Sequence, residues 1–215
     1  GVNTHARVEG GDDGGDDGPQ IFDGLFLSDG TAGVTQVAVF GEDLPPGITT
    51  FTVGAHVVPV TSIGSDPNYP QAVVIKGTIP VDISTMIAGN FDVSLGGLNF
   101  PQVEFEIIIT GGAPQIFDVG FILDDITGTI VAELIGADLP ADITAVTVGT
   151  FTPTGNLYHL SGITVSPHPN FPEADVIKGN MFAGGDKPVD LSTLVDGFID
   201  VLITSTSAGD LVFYQ

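Results

Sequence analysis

Cysteine and tryptophan are absent from this chain, and basic residues nearly so: four Lys and Arg stand against 27 Asp and Glu. Without a thiol there is no disulfide framework, no zinc–thiolate centre and no cysteine nucleophile. The formal net charge of -23 repels nucleic acid and anionic membrane surfaces, so neither is expected as a partner. No run approaches the roughly 20 apolar residues of a membrane-spanning helix, and membrane insertion is not expected. With no Trp and only three Tyr, a sugar-binding aromatic platform has little material. Nucleophile elbow, P-loop and dinucleotide-binding glycine fingerprints are also missing, which makes an enzyme the least expected class. Lys, Arg, Glu and Gln, which favour helices, are scarce, whereas Val, Ile, Thr, Phe and Gly abound. That bias favours strands. An opening Gly1 with no initiator Met fits a processed chain, and these features together lead us to expect a secreted or cell-surface protein.

What is present is a duplication. Pro19-Gln20-Ile21-Phe22-Asp23 returns as Pro114-Gln115-Ile116-Phe117-Asp118, and Asp43-Leu44-Pro45 as Asp138-Leu139-Pro140. Val74-Ile75-Lys76-Gly77 returns as Val176-Ile177-Lys178-Gly179, and Val81-Asp82-Ile83-Ser84-Thr85 as Val189-Asp190-Leu191-Ser192-Thr193. The order is kept, and a period of roughly 100 residues fits a whole domain, not a solenoid unit. Three parts follow: an arm over residues 1–18, a first repeat over 19–112 and a second over 113–215. In the first repeat, strands are expected at Gln20–Leu27, Thr35–Phe40, Thr50–Val60, Ala72–Gly77, Phe91–Leu95 and Val103–Thr110. They are separated by turn residues such as Gly96-Gly97. Short helical turns are expected at Asp82–Ala88 and Asp190–Val195, with the aspartates as caps.

The run Thr35-Gln36-Val37-Ala38-Val39-Phe40-Gly41-Glu42-Asp43-Leu44, followed by Ile48–Gly54, resembles the IPT/TIG type of immunoglobulin-like domain. The second copy repeats it over Thr129–Leu139 and Ile143–Gly149. The resemblance covers about the first half of each repeat. It implies a spacer or binding module of surface proteins, without a shared catalytic site. The fold expected is therefore all-β, two tandem immunoglobulin-like β-sandwich domains preceded by an extended arm.

The arm carries the sharpest functional signal. Val2, Thr4, Ala6 and Val8 alternate with Asn3, His5, Arg7 and Glu9, a strand pattern. A flexible acidic tether follows, Gly10–Gly18. A strand on a tether, outside the sandwich it precedes, is suited to join the sheet of a neighbouring molecule. Val2, Thr4, Ala6 and Val8 are thus the candidate subunit-interface residues. The expected function is an extracellular structural protein that assembles as a homopolymer, a filament or surface layer, by donor-strand pairing. The alternative is a calcium-dependent adhesin or carbohydrate-binding module of a larger surface protein. Asp12, Asp13, Asp16 and Asp17 are candidate oxygen ligands for calcium, the one cofactor considered, although a solvated acidic linker explains them as well. Tyr158, His159 and Phe171 are the candidate ligand-binding residues, because they lie where the second repeat has longer loops. His159 and His168, with Glu173 and Asp175 nearby, are a further candidate metal set, unlike any known zinc spacing, and Lys76 and Lys178 are expected to pair with carboxylates of their own domains.

Overall fold

The computed structural model describes residues 3–7, 18–28, 31–66, 69–124, 126–153, 155–185, 187–189 and 197–214. The protein is all-β, with one 3-10 turn among the described residues. It divides into two compact units, one spanning Gly14–Gly111 and the other joining Gly1–Asp13 to Gly112–Gln215. The arm, read from the sequence as a separate part, thus belongs with the second repeat. Its strand is β1 (Asn3–Arg7).

The first repeat contains β2 (Gln20–Ser28), β3 (Thr35–Glu42), β4 (Thr50–Val53), β5 (His56–Asp66), β6 (Tyr69–Ile79), β7 (Gly89–Leu95) and β8 (Leu98–Ile109). These strands close into a barrel in the order β2-β3-β6-β5-β4-β7-β8. Alternation drives the burial: Val37 and Val39 on β3 and Val103 and Phe105 on β8 face a core shared with Phe26, Phe51 and Leu95. Gly96 and Gly97 both have positive φ, 59° and 84°, as the tight hairpin between Leu95 and Leu98 requires. Asp82 caps the 3-10 turn Ile83–Thr85 by accepting a bond from the Ser84 N–H at 2.9 Å, as expected.

Two expectations are corrected here. Thr50–Val60 is a hairpin, not one strand: the chain reverses at Gly54 (φ 55°) and Ala55. Separate sandwich sheets are also not what forms in this repeat. The β4–β5 ladder joins them on one side. A parallel β2–β8 ladder, Gly24↔Phe105 to Ser28↔Ile109, joins them on the other.

The second repeat contains β9 (Gln115–Asp124), β10 (Thr129–Ala137), β11 (Ile143–Gly149), β12 (Leu157–Pro167), β13 (Asp175–Ala183), β14 (Lys187–Pro188), β15 (Gly197–Phe198), β16 (Asp200–Ser205) and β17 (Gly209–Phe213). Its ten-stranded sheet runs β15-β1-β9-β10-β13-β12-β11-β16-β17, with β14 on β13. The duplication holds in backbone detail. Phe22 and Phe117 are skipped at matching bulges, where β2 meets β3 and β9 meets β10. Asp43 and Asp138 share the left-handed conformation at φ 52° and 55°. The helical turn expected at Asp190–Val195 lies outside the described residues.

Candidate strand-exchange site

The arm strand sits between two strands of the second repeat. β1 runs parallel to β9, from Asn3↔Asp118 to Arg7↔Ile122. On its other side it pairs antiparallel with β15, Asn3↔Phe198 and Thr4↔Gly197. In the first repeat the same position is held by that repeat's own β8. There Phe105 is in register with Gly24 of β2 and with Gly89 of β7, and Glu104 with Asn90.

Gly24 corresponds to Val119, since each follows the shared Pro-Gln-Ile-Phe-Asp segment. Gly89 corresponds to Gly197, two residues ahead of Phe91-Asp92-Val93 and Ile199-Asp200-Val201 respectively. Both ladders therefore assign Thr4 to the place of Phe105, and the antiparallel one assigns Asn3 to the place of Glu104. Asn3–Arg7 thus stands where the first repeat has Glu104–Ile108. Beneath the seat the second core supplies Val119, Phe121, Ile199 and Val201, all buried.

Of the four interface candidates, Thr4 and Ala6 lie on this strand, and Val2 and Val8 lie outside the described residues. The strand is expected outside the repeat it precedes, in a neighbouring copy; here it is outside the first repeat and pairs with β9 and β15 of its own chain. The sequence held a sign of this, because the arm alternates in phase with Val103–Ile109, the segment it replaces.

The other candidates do not converge. Tyr158 is 6% exposed and packs in the second core, because β12 turns it inward. His159 faces outward, its Nδ1 lying 3.1 Å from the Thr147 hydroxyl. Phe171 is 3% exposed and stacks on His168 at 5.2 Å between ring centroids. Of the three ligand-binding candidates, Tyr158 and Phe171 are thus buried and His159 is exposed. The His168 Nδ1 accepts the Asn170 N–H, and Asp175 accepts the Leu139 N–H at 3.1 Å. Among the described residues, no group of three or more His, Asp or Glu side chains is placed to hold a metal ion. Asp12, Asp13, Asp16 and Asp17 lie outside the described residues.

Carboxylates elsewhere act locally. Asp142 accepts bonds from Ser207 and Ser205, each at 2.8 Å, and these, Ser207 first, hold its carboxyl below the usual aspartate value. Asp124 is lowered in the same sense, chiefly by Thr127. Lys178 meets Glu133 at 3.0 Å, the carboxylate pairing expected of it. No family model matches this chain, and no curated protein is significantly similar to it.

Proposed function

We propose that this is an extracellular structural protein whose copies join through their N-terminal strands. The observation that carries the reading is the seat. A strand from one end of the chain occupies, in matching register, the position that the first repeat fills with its own β8. The seat's walls, β9 and β15, come from the second repeat, so the same backbone bonds form whether the strand arrives from its own chain or from another. Exchanging an identical element between copies costs little, because every contact is kept. The composition of the segment between β1 and β2, rich in glycine and aspartate, is that of a linker and supports such an exchange.

Donor and acceptor are different surfaces, so repeated exchange adds subunits head to tail and builds an open filament unless the rotation closes a ring. A short flexible linker holds its own strand at an effective concentration on the order of millimolar. Self-seating is therefore favoured in dilute solution, and exchange between copies in concentrated or surface-confined protein.

The strand order of the first repeat supports a further element of the proposal, an immunoglobulin-type Greek key. Lettered A to G in chain order, its strands run A-B-E-D and then C-F-G, the two sheet sequences of that fold. Here D pairs with C and A with G, which curls the sandwich into a barrel. A non-catalytic spacer of a surface structure fits this architecture and the acidic composition.

Sedimentation and negative-stain microscopy of the full chain, with and without residues 1–11, test the proposal. Oligomers that grow with concentration and disappear on deletion are expected. A full chain that stays monomeric at every concentration, or assembly unchanged by deletion, overturns it.

A further inference from the structure

We infer that the seat is selective, and that the ladder position shared by Thr4 and Val119 determines which strand it accepts. The inference rests on the strand-exchange reading and adds to it the chemical identity of the partner: a strand with a small residue in register with Val119.

In the first repeat this ladder position pairs Phe105 with Gly24. The Phe105 ring is buried, 4.8 Å from Phe26 and 5.5 Å from Phe91 between centroids. It lies over Gly24 so closely that a Cβ on that glycine would overlap ring atoms. An aromatic ring on the closing strand therefore demands glycine on the strand beside it. In the second repeat the corresponding pair is Thr4 with Val119, and Val119 is fully buried. Phe26 has its counterpart in Phe121, also buried, so the floor keeps its aromatic ring while the wall has grown from Gly to Val. A ring on the closing strand beside Val119, where the first repeat has only Gly24, overpacks the site.

The consequence is discrimination between two strands that every molecule carries. Val103–Ile109 and the arm fit the same backbone register, yet Phe105 bars the first from the second repeat's seat. Specificity here comes from a clash against the wrong strand as well as a fit to the right one. The first repeat's barrel is already closed by β8. Each subunit then offers one donor, Asn3–Arg7, and one acceptor, the seat on β9 and β15, which restricts the partner to a second copy of this chain and growth to one direction.

The test uses the full chain as wild type, Thr4→Phe, Thr4→Val, Val119→Gly and the double variant Thr4→Phe/Val119→Gly. Hydrogen exchange is read at the β9 amides facing β1, with β3 and β6 of the first repeat as an internal control. Thr4→Phe is expected to lower protection of those amides at least tenfold, Thr4→Val to stay within about threefold of wild type, and the double variant to recover most of the loss. Undiminished protection in Thr4→Phe, or a double variant no better protected than Thr4→Phe, overturns the selectivity. Arm amides that exchange freely in the wild type at every concentration overturn the strand-exchange reading itself. Protected arm amides together with indifferent variants remove only the selectivity.

Discussion

At the scale of single residues, the first core is arranged around Phe105, and Gly24 is the residue that makes its position possible. Gly24→Ala places a methyl group against the ring, and overpacking of this kind costs about 1–3 kcal/mol. Phe105→Ala leaves a cavity beside Phe26 and Phe91 and is expected to cost about 3–5 kcal/mol. Denaturant unfolding of the two variants measures both. The alternation over Val103–Ile109 puts Phe105 on one face with Val103, but no local pattern pairs it with Gly24, about eighty positions earlier. Asp142 is a different kind of residue effect. Its carboxyl is held low by the Ser207 and Ser205 hydroxyls, so the folded state favours the ionised form. The stabilisation is present at neutral pH and is lost as pH falls through the lowered value. Ser207→Ala is expected to move the Asp142 pKa upward, towards the ordinary aspartate value, in an NMR titration. An unchanged value would show that the serine is not its main partner.

Among elements, β2, β3, β7 and the second half of β8 were legible from the sequence as β-favouring runs bounded by turn residues, and over Val103–Ile109 as an alternating run too. β2 itself does not alternate, Leu25, Phe26 and Leu27 all being buried. The β4–β5 hairpin was missed because Val53-Gly54-Ala55-His56 carries only one turn-forming residue between two apolar runs, and a continuous run imitates one long strand. Tyr158 was read from the sequence as part of a lengthened loop after Gly149, but its place in β12 alternates inward. That loop is tied down from below by Asp200, which accepts the Phe151 N–H at 2.9 Å. The recurring lysine also acts between elements, bridging β13 to β10 through Glu133, which is 8% exposed. Lys178→Met removes the cation beside a largely buried carboxylate, and a loss of about 1–3 kcal/mol is expected. Chemical denaturation, monitored at reporters within the second unit, checks it.

For the whole molecule, charge opposes the proposed strand exchange. Each chain carries a formal net charge of -23, so bringing copies together in dilute buffer works against long-range repulsion. Salt shortens the screening length from about 30 Å at 0.01 M to about 8 Å at 0.15 M. Light scattering at fixed protein concentration is therefore expected to report faster growth as ionic strength rises over that range. Assembly that slows with added salt would mean that attraction between opposite charges drives it.

The sequence by itself determined the strand-forming composition, the duplication, the exclusion of thiol chemistry and the alternation of the arm, since each is written in residue types and local spacing. The tertiary structure alone decided where the arm strand pairs, that the first repeat closes into a barrel, and that Thr4 stands in register with Val119 as Phe105 does with Gly24. Those facts depend on which distant strands become neighbours. Register between strands a hundred residues apart is set by how two faces share one core, and no local window of sequence contains that.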